Sequence, residues 1–164
     1  MKKILVMLCI FIISNNTLAV TKNKNKEILV QAKSGVWTLQ CLGKNPEQCI
    51  IFSQFFNSKG QRELLVNFKF TSNNAAILYI GTPLNTDIAE KITLNFANNP
   101  SISIPYTACY KTGCMAQANV ENMKEIYENK TMNITYLQYD NNQKKSYTLH
   151  LNKTKNLLNL LPNH

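Results

Sequence analysis

The chain has 164 residues, enough for one compact domain and hardly for two. Its 18 basic and 9 acidic residues give a net charge of +9, and a 45% hydrophobic content excludes a disordered polyelectrolyte. Two histidines and five glycines leave little material for a histidine-rich metal site or a glycine-rich nucleotide loop.

Much of the apolar content sits at the start. Lys2 and Lys3 precede an apolar run over residues 4–13, and a polar stretch of small residues follows to Ala19. Thr17 and Ala19 occupy the −3 and −1 places of a signal-peptidase site, which predicts a cleavable signal peptide over residues 1–19. Ten apolar residues make about 15 Å of helix, against roughly 30 Å of membrane core. Cys9 follows Leu8 inside that run, which does not suit a lipoprotein acylation site. Removing the leader leaves 16 basic and 9 acidic residues, a charge of +7 over 145 residues. The expected location is the periplasm, the medium or the cell surface.

Residues 20–35 begin Val20-Thr21-Lys22-Asn23-Lys24-Asn25-Lys26 and read as a flexible basic segment. A single domain is expected over residues 36–161. From Val36 the hydrophobic pattern has period two, the mark of strands with one buried face. Trp37 and Leu39 alternate with Thr38 and Gln40; residues 49–56 are mostly apolar. Leu64, Val66, Phe68 and Phe70 share a face, and residues 75–80 form a short apolar strand suited to burial on both sides. Ile92, Leu94 and Phe96 repeat the alternation, as do Ile102, Ile104 and Tyr106. Pro105 predicts an edge or a bulge in the latter strand.

Four cysteines survive removal of the leader, and an even number in an exported chain implies two disulfides. Each of the pairs 41/49 and 109/114 flanks a polar loop between two extended segments, so hairpin closure brings them within bonding range. Chain entropy alone favours a 41–114 link, at about 4.5 kcal/mol against about 2–2.6 for each short loop. Geometry therefore assigns Cys41–Cys49 and Cys109–Cys114, with the two long-range pairings as alternatives. The spacings C-x7-C and C-x4-C suit neither a zinc site nor a redox pair.

Val120, Met123, Ile126 and Tyr127 predict one helix over residues 120–129, capped by Asn119 and carrying Glu121, Glu125 and Glu128 on a solvated face. A hairpin follows, turning at residues 140–143, and residues 157–161 form a last strand or a turn of helix. About eight strands with one short helix predict an all-β sandwich or barrel-like domain.

Chemistry is sparse. His150 lies between Leu149 and Leu151 and points away from the buried face, and His164 is terminal. No spacing supplies a nucleophile with a base, a P-loop, a dinucleotide loop or a zinc-binding helix. The expectation is no enzyme, no cofactor and no metal. The lysines are scattered and the predicted helix is acidic, which argues against nucleic acid; the 23 asparagines and 17 lysines beside a single Arg62 fit AT-rich coding. A basic exterior is compatible with peripheral contact at an anionic membrane surface.

Val36-Trp37-Thr38-Leu39-Gln40-Cys41, the second Cys49, and Ala108-Cys109-Tyr110-Lys111-Thr112-Gly113-Cys114-Met115-Ala116 resemble the invasion-associated locus B family. The segment Gly81-Thr82-Pro83-Leu84 and the strand Ile92-Thr93-Leu94-Asn95 are similar to its proline-containing turn and following strand. Asn152-Lys153-Thr154-Lys155-Asn156 stands where the family tends to carry Gly-Phe. The resemblance implies a non-enzymatic exported protein whose Trp37 and Gly113 are architectural. It further implies contact with an envelope or host-surface protein, in host-cell entry or as a periplasmic accessory.

Overall fold

The computed structural model describes residues 30–72, 74–97 and 100–161. The expected signal peptide, the lysine-rich part of the basic segment, and His164 lie outside the described residues. The strands are β1 (Val30–Ser34), β2 (Trp37–Cys41), β3 (Cys49–Phe56), β4 (Arg62–Phe70), β5 (Ala76–Thr82), β6 (Ile92–Phe96), β7 (Ile102–Ile104), β8 (Tyr106–Tyr110), β9 (Gly113–Val120), β10 (Thr131–Leu137) and β11 (Lys144–His150). Two helices, α1 (Met123–Glu128) and α2 (Asn152–Leu158), complete the described elements with a 3-10 turn over Pro46–Gln48.

The strands form two separate antiparallel sheets, ordered β1-β2-β3-β4-β5-β9-β8 and β11-β10-β6-β7. Their inner faces meet in one core that includes Trp37, Phe68, Leu78, Leu94 and Ile134. Period-two alternation builds that core directly. Leu64, Val66, Phe68 and Phe70 of β4 are buried, while Leu65 and Asn67 between them are half-exposed. Each large aliphatic or aromatic side chain so buried contributes about 1.5–3 kcal/mol.

Three expectations are corrected, and that of a sheet edge at Pro105 is met. Eleven strands replace about eight, in two open sheets with no closed barrel among the described residues. One added strand is β1, inside the segment expected to be flexible: Val30 and Ala32 pack on the core and Val30–Ser34 pairs with β2. Another arises at Pro105, where the chain leaves the smaller sheet as β7 and enters the larger as β8; both are edge strands, as a residue without an N–H requires. The core strand β5 is buried on one face only, with Ile77 and Tyr79 half-exposed.

The helical content also differs. The ladder between β5 and β9 continues to Ala76 opposite Val120, so Asn119 and Val120 stay extended. The helix therefore begins at Met123, with Asn122 as its N-cap accepting from the Lys124 N–H at 3.0 Å. Residues 152–158 are helical because Thr154, Leu157, Leu158 and Leu161 fall on one stripe, which α2 buries against β1, β2 and α1.

Candidate functional site

The two disulfides are Cys41–Cys49 and Cys109–Cys114. Each joins residues directly opposite in an antiparallel pair, β2 with β3 and β8 with β9. Leu42 N–H donates to the Gln48 carbonyl, which makes Cys41 and Cys49 a close, non-hydrogen-bonded pair whose Cα atoms are 4.0 Å apart. The bonds staple opposite ends of the larger sheet, one beside the turn over Pro46–Gln48 and one at the tip of the β8–β9 hairpin.

Trp37 is fully buried, packs in a tilted arrangement with its ring 5.8 Å from that of Phe68, and donates its indole N–H to the His150 carbonyl at 3.0 Å. Gly113 has φ +142° and lies against the Thr82 backbone. His150 contributes its backbone to this contact while its side chain is exposed. Among the described residues, no three His, Cys, Asp or Glu side chains gather as a metal would require, and no helix is long and apolar enough to cross a membrane.

Two other features have surface chemistry. The β3–β4, β5–β6, β8–β9 and β10–β11 connections all emerge at one end of the sandwich, as the strand registers require. There Phe56, Leu84, Ile88 and Tyr110 each expose more than half of their surface, and Tyr139 exposes 76%. The loops are tied together: Tyr139 N–H donates to the Asn85 carbonyl, Asp87 N–H to the Leu137 carbonyl, and Asn85 Nδ2 to Asp140. Solvated apolar side chains on loops that a rigid scaffold positions are characteristic of contact surfaces. Sequence periodicity could not mark them, because Leu84, Ile88 and Tyr139 lie in loops, which have no period, and Phe56 and Tyr110 are the last residues of their strands.

At the root of those loops Glu63 holds the sheets together. Its backbone carbonyl accepts from Tyr136 Oη at 2.9 Å and its carboxylate from Tyr147 Oη at 2.8 Å. Lys145 lies 3.7 Å from the same carboxylate, and the Tyr147 ring packs 5.2 Å from Phe55. Burial, and then the hydrogen bond to Glu63, push the Tyr147 hydroxyl up to about 12; burial raises Tyr136 as well. A folded value above the unfolded value of about 10 means that the stabilisation is complete below about pH 10 and lost as pH rises through the folded value. The melting temperature should therefore fall more steeply between about pH 10 and 12 in the parent protein than in a Tyr136→Phe/Tyr147→Phe variant. Parallel melting profiles would show that these two hydroxyls contribute nothing to the alkaline decline.

The second feature is a cleft of about 540 Å³ at the other end, where the sheets part between β7 and β9 and α1 forms one wall. Its floor includes Leu78 and Leu94, and its rim carries Glu121 and Glu125. The expected face of three solvated glutamates is thus divided: Glu128 lies 3.8 Å from Lys124, while the other two line the cleft.

Comparison with known proteins matches residues 37–160 to the model of the family described as invasion associated locus B (IalB) protein. None of the curated proteins matches the sequence. Among solved structures, the fold is similar to that of invasion associated protein B from Bartonella henselae, with a TM-score of 0.66 and 14% identity over 80% of this chain and 95% of that one. The matched span runs from Trp37 through both disulfides to the end of α2, so the chain belongs to the invasion associated locus B family.

Proposed function

We propose that this protein is an exported, non-enzymatic envelope or surface domain that promotes host-cell interaction by contact. Family membership over residues 37–160 is the observation that carries the reading. Two disulfides support it, because such bonds persist in oxidising compartments outside the cytosol. The loop end with Phe56, Leu84, Ile88, Tyr110 and Tyr139 supplies a surface suited to a protein partner, since exposed aromatic and aliphatic side chains become the buried centre of an interface.

A periplasmic accessory binding other envelope components would use the same surface without meeting a host. Protease shaving of intact cells, with fractionation, separates the two readings. Digestion of the protein on intact cells, or its recovery from the medium, is the expected result. Full protection until the outer membrane is opened would assign it to the periplasm and end the host-contact reading.

A further inference from the structure

The two disulfides share one architecture and differ in access. Each joins directly opposite residues of an antiparallel pair. Cys41 and Cys49 are both fully buried and belong to the hydrophobic core. Cys109 is exposed, while Cys114 beside it is buried. β8 is an edge strand of the larger sheet, with β9 on one side and no described strand on the other. A half-cystine has only Cβ and Sγ beyond its main chain, and one edge of that chain faces β9, so Cys109 presents its side chain to solvent. The C-x4-C spacing by itself gives no redox pair; the fold adds access, which spacing does not carry.

Thiol–disulfide exchange begins when a thiolate attacks one of the two sulfurs, so access to that sulfur decides which bond reacts. Strand order fixes the approach. Cys114 lies inboard, with β5 on its far side through the Thr82–Cys114 pair. An attacker aimed at Cys114 would have to pass through the sheet, whereas one aimed at Cys109 comes from the open edge. Lys111 is exposed and is the charged residue between the two cysteines, on a chain of net charge +9, which draws an anionic nucleophile. Tyr110, next to Cys109, belongs to the exposed apolar group of the loop end. The sheet does not depend on the bond: β9 stays paired with β5 from Ala76–Val120 to Thr82–Cys114.

We propose that Cys109–Cys114 is a thiol-exchange site, forming a mixed disulfide at Cys109 with a thiol that is small or carried by a protein at the loop end. The incoming thiolate bonds to Cys109 Sγ as the Cys109–Cys114 bond breaks. The electron pair leaves on Cys114 Sγ, which takes a proton from water. Cys114 stays opposite Cys109 and restores the bond by the reverse step, expelling the thiol. No further oxidant or reductant enters, and Cys41–Cys49 remains closed as the permanent staple. The chemistry belongs to the domain itself and is independent of any host role for the loop end.

The test treats the purified protein, without denaturant, with excess reduced glutathione or with a peptide bearing one cysteine, then alkylates it and maps the products by mass spectrometry. Cys109–Cys114 should open on the order of a hundredfold faster than Cys41–Cys49, with the mixed disulfide at Cys109. Reaction with both thiols is expected; reaction with glutathione alone would keep the site and restrict it to small thiols. Cys114→Ser lacks the resolving thiol and should trap glutathione on Cys109 when given glutathione disulfide. Cys109→Ser leaves only a buried thiol and should react about a hundredfold more slowly. Equal opening of the two disulfides, a mixed disulfide at Cys114, or no exchange short of unfolding would overturn the assignment. The parent protein alone decides these three outcomes, whether or not the variants fold.

Discussion

Replacing Gly113 with alanine should lower stability by about 3–5 kcal/mol, among the largest effects of any single methyl group in this fold. The residue has φ +142°, a conformation that L side chains rarely adopt, and a Cβ there would lie 2.2 Å from the Thr82 carbonyl oxygen. That oxygen belongs to backbone, so no rotamer change relieves the overlap. Gly113 pairs with Tyr110 across the hairpin, and the next residue, Cys114, pairs with both Cys109 and Thr82. To admit a methyl group, β9 must draw back from β5 at the point where the disulfide tethers it to β8. Gly60 is the control: its φ is +74°, but a Cβ there meets nothing within 4 Å. Gly60→Ala should cost only the conformational penalty, about 1–2 kcal/mol. Urea unfolding of both variants reads the difference. Equal midpoint shifts would mean that close approach to Thr82 contributes nothing beyond backbone strain.

The pairing of the four cysteines was legible in the sequence because each pair closes a short loop, whereas Gly113 was marked by the family resemblance alone. Hairpin closure is local geometry, and a polar loop between two extended segments is enough to place Cys41 beside Cys49. The alternation of Leu64, Val66, Phe68 and Phe70 was equally legible, since β4 stays within one sheet and buries one face along its length. Signals failed where a weak period ran into strong charge. Val30 and Ala32 alternate with Gln31 and Lys33, but this short pattern begins only four residues after the lysine-rich run that ends at Lys26. Thr154, Leu157, Leu158 and Leu161 have helical spacing, yet Lys153 and Lys155 break up the apolar appearance of their start.

Other features had no local signature at all. β9 extends through Asn119 and Val120 because β5 offers ladder partners more than 40 residues away in sequence, which displaces the expected helix cap. The cleft draws its walls from β5, β6, β7, β9 and α1, so neither Glu125 nor Asn129 could be distinguished from solvated helix residues beforehand. The loop end is similar. Phe56, Leu84, Ile88, Tyr110 and Tyr139 lie in or beside four connections that only the strand registers bring to the same end.

Trp37→Ala should destabilise the protein by about 3–5 kcal/mol, the range for deleting a large buried aromatic and leaving a cavity. The indole is fully buried and packs against Phe68 of the same sheet, while its N–H reaches the His150 carbonyl at the end of the smaller sheet, 113 residues along the chain. Trp37→Phe separates the two contributions. Phenylalanine keeps part of the ring volume but leaves that carbonyl without its donor, and a loss of about 1–3 kcal/mol is expected from the missing bond. An aromatic reserved for a partner would behave differently, because truncating an exposed side chain changes stability by about 0.5 kcal/mol or less. Trp37 is the sole tryptophan, so intrinsic fluorescence reports on this position alone. Emission in the native protein should be blue-shifted and resistant to acrylamide, moving to the red only with global unfolding. Acrylamide quenching in the native state, together with a small effect of Trp37→Ala on stability, would remove Trp37 from the core and return it to the surface as a contact residue.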